Sequence, residues 1–170
     1  MKFSLLPEFN KIVSNLPYQI SSPITFKFLN YDFELAVLIY QKEPAERMLA
    51  KIGSKDYSRL TVGVDYKAKC EFLEMIPKNC FRPQPKIDSF MIKLIPREKP
   101  KFKVLDEDFF IELTRELFNQ RRKKIKNIIK KRWNILIEDE LFRDKRVEEI
   151  TPEQIGELSD IILKKLEKNI

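Results

Sequence analysis

Residues 9–40, FNKIVSNLPYQISSPITFKFLNYDFELAVLIY, carry the alternation of apolar and turn-forming segments from which the fold class follows. The apolar run Phe9 to Val13 predicts a short buried strand that ends at a turn. Ser21, Ser22 and Pro23 supply an N-cap and an early helical proline, so Ile24 to Leu29 is predicted to be helical. Glu34 to Tyr40 is apolar on both faces, as expected of a central parallel strand. Strand, helix and strand in this order indicate a βαβ unit.

The next hundred residues predict one more helix and further strands. Glu43 to Lys51 is predicted to be helical. Leu60 to Ala68 is ambiguous, because its alternation of apolar and polar residues favours a strand by period. Phe72 to Ile76 and Phe90 to Ile95 predict two more strands. The loop Phe81 to Pro85 between them contains two prolines and is expected to be stiff and largely polyproline-like.

The last third of the chain is predicted to be helical. Pro96 to Lys103 has two prolines and four positive charges and is interpreted as a linker. One long helix is predicted from Phe109 to about Trp133, and Thr151, as a cap before Pro152, opens a last helix that continues through Leu166. The apolar face of the long helix comprises Phe110, Leu113, Leu117, Phe118, Ile125, Ile128 and Ile129. The chain is therefore predicted to form an α/β domain, residues 1–98, and a small all-α domain, residues 104–170.

The composition excludes several kinds of chemistry. Hydrophobic residues make up 43% of the chain and charged residues 35%, and no apolar run approaches the ~20 residues that cross a bilayer, so we expect a cytoplasmic protein without a membrane partner. The absence of histidine excludes histidine-based triads and zinc sites of the His-Glu-x-x-His type. The three glycines are too far apart for a glycine-rich phosphate loop. Cys70 and Cys80 are expected to be free or buried thiols, and no metal site is predicted.

Positive charge is concentrated in one segment. The net charge is +7 and the isoelectric point about 9.3, which permits a nucleic-acid partner. Eight of the twelve residues from Arg121 to Arg132 are basic and none is acidic. Such a run is often only a solvated helix face, but this density favours contact with RNA phosphates and a strong dependence of binding on salt.

Four ordered blocks of sequence carry a resemblance to a known family. They are Asn15-Leu16-Pro17-Tyr18-Gln19-Ile20-Ser21-Ser22-Pro23, Tyr40-Gln41-Lys42-Glu43, Phe81-Arg82-Pro83-Gln84-Pro85-Lys86-Ile87-Asp88-Ser89 and Leu117-Phe118-Asn119-Gln120-Arg121-Arg122-Lys123. In this order they resemble the ribosomal RNA small-subunit adenine N6-dimethyltransferases, which are related to the erythromycin-resistance methyltransferases. The resemblance implies the carboxyl-terminal portion of a Rossmann-like class I methyltransferase sheet, followed by a small helical domain. It also implies that Leu60 to Ala68 is helical.

The resemblance implies methyl transfer from S-adenosylmethionine to adenine N6 in small-subunit ribosomal RNA during ribosome biogenesis. The Asn15 side-chain oxygen and the Leu16 backbone carbonyl would accept hydrogen bonds from the amine, and Pro17 would fix the turn. Tyr18 and Phe81 would stack on the two faces of the flipped adenine. Asn15 would also lie in the cofactor site. The alternatives are that Tyr18 is a core aromatic and that Phe81 is an apolar anchor.

The basic segment would contact RNA in this reading, through Arg121, Arg122, Lys123, Lys124 and Lys126. Arg121 is a special case, because by helical angle it lies near the middle of the apolar stripe. We therefore expect that it snorkels or pairs with an acid, which would make its role structural.

The cofactor-binding opening of the family has no counterpart in this sequence. The first residues resemble the stretch after the family's third strand, which suggests an amino-terminally truncated chain whose partners include a missing amino-terminal half. Its absence would expose the Phe9 to Val13 strand at an apolar sheet edge. We therefore expect a chain that is inactive alone. A non-catalytic RNA-binding or ribosome-assembly module is the alternative, and DNA adenine methylation is a third reading that the later blocks disfavour.

Overall fold

The computed structural model describes residues 9–168, except for the side chain of Tyr18. Its sheet has four strands in the order β1-β2-β4-β3. The strands are β1 (Lys11–Asn15), β2 (Leu35–Gln41), β3 (Ala68–Ile76) and β4 (Ser89–Pro96). β2 pairs in parallel with β1, whereas β4 is antiparallel to both β2 and β3. The expectation of a central strand is confirmed for β2, but only its pairing with β1 is parallel.

Seven helices are present in the described residues. Three belong to the first half of the chain, and the other four form its second half. They are α1 (Ser21–Phe28), α2 (Lys42–Leu49), α3 (Arg59–Lys67), α4 (Glu107–Asn119), α5 (Ile125–Trp133), α6 (Glu140–Arg143) and α7 (Pro152–Glu167). The predicted cap of α7 is confirmed, because Thr151 Oγ1 accepts a hydrogen bond from the Gln154 amide at 3.1 Å. Within residues 9–168, no helix has the length and apolar character that a bilayer crossing requires.

The first strand differs from its prediction in position and in burial. It spans Lys11 to Asn15 rather than Phe9 to Val13, because the ladder with β2 continues as far as the Asn15–Ile39 pair. β1 is an edge strand of the described sheet, and Val13 is 83% exposed. The expectation of a buried strand is therefore wrong. Within the described sheet β1 is at an edge, as expected, but three of its five residues are polar. α1 also begins earlier than predicted, at Ser21, and no serine side chain caps it.

Leu60 to Ala68 is helical up to Lys67, so the period-based strand prediction is wrong and the helix that the resemblance implied is confirmed. The helix α3 is buried on two opposite sides. Leu60 and Val64 pack into the cluster beneath the sheet, which also contains Leu38 and Ile92. Val62 and Tyr66 pack into the cluster of the helical half, which also contains Phe110 and Leu158. Each α3 pair is four residues apart, which places its members on one helix face. Two opposed apolar faces produce an alternation that has the period of a strand.

The long helix predicted from Phe109 to Trp133 is two helices, α4 and α5. Between them the chain makes a turn in which the Lys123 amide donates to the Gln120 carbonyl at 2.8 Å. The seven residues of the predicted apolar face are buried or half-buried all the same, and they pack in the helical cluster. The break moves Arg121 out of that face, because a residue in a turn does not follow the angular spacing of the helix.

The expected linker is fastened to α3. The Arg97 amide donates to the Lys67 carbonyl at 2.8 Å and the Lys101 amide to the Tyr66 carbonyl at 2.9 Å. Since α3 also contributes to both hydrophobic clusters, the division into domains 1–98 and 104–170 stays a prediction. Both cysteines are free thiols, as expected.

Candidate target-base site and nucleic-acid interface

Three of the four sequence blocks meet at one end of the sheet, where the parallel strands finish. Asn15 ends β1 opposite Ile39, two residues before β2 ends at Gln41. Gln41 pairs with Ser89 at the start of β4, and Ser89 pairs with Ile76 at the end of β3. The turn after β1, the segment after β2 and the loop between β3 and β4 therefore all leave the sheet at the carboxyl end of its parallel strands. Ligands of open α/β sheets bind beyond this end.

The turn after β1 is anchored by one buried side chain and one carbonyl. Leu16 is 4% exposed and packs in the cluster beneath the sheet, while Asn15 and Pro17 on either side are exposed. The Pro17 carbonyl accepts from the Ile20 amide at 3.1 Å and from Ser21 Oγ at 3.4 Å. Alternating exposed, buried and exposed residues present the Asn15 side chain to solvent on a fixed backbone. The side chain of Tyr18 lies outside the described part, so only its backbone is placed.

A buried hydrogen bond fastens α1 to β2 behind this turn. Thr25 Oγ1 and Tyr40 Oη are 2.7 Å apart, and Thr25 Oγ1 also lies 2.7 Å from the Ser21 carbonyl. Burial raises the pKa of Tyr40 far above its usual value, which keeps the phenol neutral and able to donate. Tyr40 stands in the second sequence block, but nothing in the sequence distinguished Thr25 from the other polar residues of its helix.

The loop that carries Phe81 is held by its own hydrogen bonds. A short 3₁₀ turn, Lys78–Cys80, precedes Phe81, and the Lys78 amide donates to Asp88 Oδ1 at 2.9 Å, which closes the base of the loop. The Arg82–Pro83 peptide bond is cis, so the polyproline-like prediction is wrong at that bond. Phe81 is half-buried, whereas Cys80 and Arg82 beside it are exposed.

The basic segment is divided between residues that have acidic partners and residues that have none. Arg121 Nε donates to Glu148 Oε2 at 2.5 Å, and its terminal nitrogens donate to the carbonyls of Lys55 at 2.6 Å and Ser54 at 2.9 Å. The expected acidic partner of Arg121 is thus confirmed. Since all three guanidinium nitrogens are engaged within the protein, Arg121 is poorly disposed to bind a phosphate.

Arg121, Glu148 and the carbonyls of Ser54 and Lys55 are called the clamp below. The two lysines that follow Arg121 most closely after Lys123, Lys124 and Lys126, share a single carboxylate. Lys124 Nζ and Lys126 Nζ each lie 2.8 Å from Asp144 Oδ1. Hydrogen bonds from Lys124 and then Lys126 hold the pKa of Asp144 well below its usual value. Arg143 Nε is a third cationic partner, 3.2 Å from Asp144 Oδ2. Three cations on one anion leave a net positive charge, so this group still attracts an anion.

The other basic residues of the segment also divide into those with a side-chain partner and those without one. Arg132 pairs with Glu112 at 2.9 Å, and Lys123 Nζ bonds Gln120 Oε1 at 3.2 Å. Three exposed side chains have no acidic or hydrogen-bonding partner among the residues described: those of Arg122, Lys130 and Lys131. The free positive charge therefore lies on the turn before α5 and on the last turn of α5.

Residues 2–164 match the family model described as ribosomal RNA adenine dimethylase. The chain belongs to this family. It is 46% identical over 168 residues to a probable ribosomal RNA small subunit methyltransferase A of Methanosarcina acetivorans, covering 92% of this chain and 61% of the relative. It is also 46% identical over 171 residues to the protein of the same description in Methanococcus maripaludis strain C6, covering 93% of this chain and 65% of the relative. The chain thus spans about three fifths of the length of the curated relatives it matches.

Solved structures agree with the fold of an rRNA adenine dimethylase. A dimethyladenosine transferase from Plasmodium falciparum superposes with a TM-score of 0.78 at 30% identity, over 98% of this chain and 70% of that one. The 23S rRNA methyltransferase ErmE superposes with a TM-score of 0.61 at 22% identity, over 96% of this chain and 68% of that one, which supports the fold alone. The sheet and helices match the carboxyl-terminal portion of a methyltransferase fold, as the resemblance implied.

Proposed function

We propose that this protein acts in the S-adenosylmethionine-dependent dimethylation of adenine N6 in small-subunit ribosomal RNA, within a cytoplasmic pre-ribosomal subunit. The observation that carries the proposal is that the Asn15–Tyr18 turn and the Phe81 loop leave the sheet at the same end, in a chain of the adenine dimethylase family. The proposal assigns target-base binding to the α/β domain, residues 1–98, and RNA-backbone binding to the helical domain, residues 104–170.

The acceptor side of the site follows from the chemistry of the adenine amine. The N6 lone pair is delocalised into the ring, so it becomes nucleophilic only when its hydrogens are held out of the base plane. The Asn15 side-chain oxygen and the Leu16 carbonyl are proposed as the two hydrogen-bond acceptors. Buried Leu16 fixes the backbone on which both stand, so the acceptors are oriented before the base arrives. Such positioning needs no histidine base, which suits a chain that has none.

Stacking on aromatic side chains would retain the flipped base. Phe81 is half-buried on a loop that is tied at its base by Asp88, so it can close on one face of the adenine without ordering the loop first. Tyr18 is proposed for the other face and Pro17 for the rigidity of the turn. Each stacking contact contributes roughly 1–3 kcal/mol.

RNA phosphates are proposed to bind the exposed cations of the basic segment. Arg122 and Lys123 lie in the turn before α5, and Lys124 and Lys126 follow with one carboxylate between them. Arg121 is assigned instead to holding this turn, because its guanidinium already donates to Glu148 and to two carbonyls.

The described residues do not fit S-adenosylmethionine as a complete site. β1 is the edge of the sheet on the side where a cofactor cradle would continue, and Val13 there is 83% exposed. The glycines stand elsewhere, Gly53 after α2, Gly63 within α3 and Gly156 within α7. The proposal therefore includes a polypeptide segment beyond the described residues that pairs with β1 and supplies the cradle. A contribution of Asn15 to cofactor binding stays part of the proposal.

The second candidate function is a non-catalytic RNA-binding or ribosome-assembly module. The same observation favours it: the acceptor turn and the basic segment are present, whereas a cofactor cradle is not formed by residues 9–168. In that case the chain would bind small-subunit RNA without modifying it.

One experiment separates the two functions. The purified chain, mixed with the amino-terminal segment of a relative so that the proposed cofactor cradle can form, is incubated with unmethylated small-subunit ribosomal RNA and S-adenosylmethionine, and N6,N6-dimethyladenosine is measured by mass spectrometry of the nucleosides. Asn15→Ala is the test variant, and Asn10→Ala, an exposed asparagine just before the opposite end of β1, is the matched control. For an enzyme we expect methylation that Asn15→Ala lowers by about 10²-fold, the scale of one lost transition-state hydrogen bond.

Each outcome of this experiment supports or refutes a stated role. Methylation that both asparagine variants retain would overturn the acceptor role of Asn15. Salt-dependent RNA binding without methyl transfer would favour the assembly module. A chain that neither binds nor methylates this RNA would refute both functions.

A further inference from the structure

A cavity of about 340 Å³ lies between α1, α3 and α4, and among the described residues neither the Asn15–Tyr18 turn nor Phe81 lines it. Its interior is aromatic and apolar, with Phe26, Val62, Tyr66 and Phe110 in the wall. The rings of Tyr66 and Phe110 are 4.9 Å apart at their centroids and are only 3% and 2% exposed, so they form the buried floor of the cavity. Ile111, which is 46% exposed, stands at the opening. The volume is within the roughly 300–1,000 Å³ of small-molecule sites.

A glycine and an arginine define one end of this cavity. A Cβ at Gly63 would lie 2.6 Å from Phe26 Cε1, so the absence of a side chain there is what lets the Phe26 ring lie against α3. The Arg59 guanidinium carbon is 4.9 Å from the centroid of the same ring. Arg59 is exposed, and no carboxylate pairs with it in the described part of the chain. A stacked cation without an anion partner therefore stands at the cavity's edge.

The opposite end is electrically satisfied. Lys67 Nζ lies 2.5 Å from Glu107 Oε1 and 2.9 Å from Asn30 Oδ1, which neutralises its charge. The two ends of the cavity thus differ, because only the Arg59 end attracts an anion. A ligand that suits this arrangement has a flat apolar body and a negative group at one end.

We propose that the cavity binds one unpaired nucleotide of an RNA strand, with its base against the half-buried Phe26 ring and the Ile111 side chain and its phosphate at Arg59. Bases stack on aromatic and guanidinium planes whatever their sequence, and a nucleotide carries the required anion on its ribose. The net charge of +7 favours the same class of ligand.

The choice of RNA rests on the proposed function. α1 begins three residues after the Asn15–Tyr18 turn, and Pro23 of its first turn lines the cavity. A strand whose adenine enters at that turn would continue alongside α1. The cavity would then hold a neighbouring nucleotide and fix the register of the strand relative to the target.

The test measures binding without methyl transfer, so its failure is distinct from a failure of the proposed function. The chain is labelled with ¹³C at isoleucine and valine methyl groups and titrated with adenosine 5′-monophosphate, and then with inorganic phosphate alone. Saturable shifts of the Val62 and Ile111 methyl signals are expected from the nucleotide and not from phosphate. Arg59→Ala should weaken the nucleotide's affinity about tenfold, whereas Lys164→Ala, which removes an exposed charge on α7, should leave it unchanged.

A second variant keeps the inference falsifiable. Ile111→Trp places a large side chain at the opening of the cavity, at a position exposed enough for the chain to fold, and should abolish the Val62 shift. Arg59→Lys should recover little of the lost affinity, because an ammonium does not stack as a guanidinium does. Absence of a nucleotide-dependent shift in the folded wild-type chain would overturn the proposal. So would a Val62 shift that persists in Ile111→Trp, or one that phosphate alone reproduces.

Discussion

Replacing Arg121 by alanine is expected to destabilise the protein without weakening its contact with RNA phosphates. The Arg121 guanidinium joins three parts of the chain, since it donates to Glu148 in the 3₁₀ turn before α7 and to the carbonyls of Ser54 and Lys55 in the loop after α2. A fourth bond in the same place runs from the Gly53 amide to the Glu148 carbonyl at 2.9 Å. The substitution therefore removes the side chain that holds the loop of the α/β half against the helical half.

The size of the effect follows from the number and exposure of these bonds. The Arg121 side chain is 31% exposed and that of Glu148 28%, so water screens the ion pair in part. Three bonds of a charged donor at such positions, each near the lower end of the range for single hydrogen bonds, give a loss of about 2 kcal/mol in the free energy of unfolding. For a chain of this length, about 2 kcal/mol corresponds to a fall in Tm of roughly 4–8 °C.

The assay combines thermal unfolding, followed by circular dichroism, with RNA binding at several salt concentrations. Arg122→Ala is the matched control, because Arg122 is the next residue, is exposed and has no partner among the described residues. Arg122→Ala should leave Tm nearly unchanged and reduce the slope of log K against log salt by about 0.7–0.9, the amount for one lost phosphate contact. Arg121→Ala should lower Tm and leave that slope unchanged below its unfolding temperature.

Glu148→Gln provides an independent check, since it keeps the shape of the clamp and removes one charge. It should lower Tm by less than Arg121→Ala, and the double variant should be less destabilised than the sum of the two single variants, because both act on one interaction. A structural role for Arg121 would be refuted if Arg121→Ala kept the wild-type Tm and reduced the salt slope as Arg122→Ala does. Arg121 would then be a phosphate ligand.

Three further perturbations test other parts of the structure. Gly63→Ala should lower the free energy of unfolding by about 1–3 kcal/mol in denaturant titrations, because its Cβ would lie 2.6 Å from Phe26 Cε1, and a wild-type midpoint would contradict this packing. Burial raises the pKa of Cys70 to about 12, so a thiol reagent should modify exposed Cys80 in the native protein and Cys70 only after unfolding; bound RNA should slow the reaction of Cys80 if the Phe81 loop contacts RNA. Asp144→Asn should flatten the acid side of the Tm–pH curve. The folded-state pKa of Asp144 is depressed, so its contribution is present above the unfolded value of about 3.9 and is lost as the pH falls through the folded value. An unchanged curve would show that Asp144 does not hold its cationic partners Lys124, Lys126 and Arg143 in solution.

The sequence predicted most elements and misjudged α3 for a reason that applies generally. Hydrophobic period separates helix from strand only when an element is buried on one side. α3 lies between the sheet and the helical half, so Leu60 with Val64 and Val62 with Tyr66 form two separate apolar faces. Local sequence does not record which tertiary neighbours an element will have. The resemblance to a family resolved the ambiguity because it carries that tertiary information.

The same limit explains the error over the long helix from Phe109. Its apolar spacing continues across the turn between α4 and α5, because both helices pack into one cluster. The break follows from contacts distant in sequence, among them the Ile125 amide with the Lys145 carbonyl at 2.9 Å. Arg121 could be recognised from sequence as a charge that needs an acid. Glu148, and the carbonyls that complete the clamp, could not.

The sequence predicts which residues belong to the candidate site, but it does not predict that they lie close together. The blocks around Asn15, Gln41 and Ser89 could each be located in the chain, yet each begins or ends a different strand. What brings them together is the register of three ladders, Asn15 with Ile39, Gln41 with Ser89, and Ser89 with Ile76. A shift of β4 by one residue against β2 would turn its side chains to the other face and disrupt the core. The buried residues that hold this register, Leu38 opposite Ile92 among them, therefore position the Phe81 loop relative to Asn15 although they are remote from it in sequence.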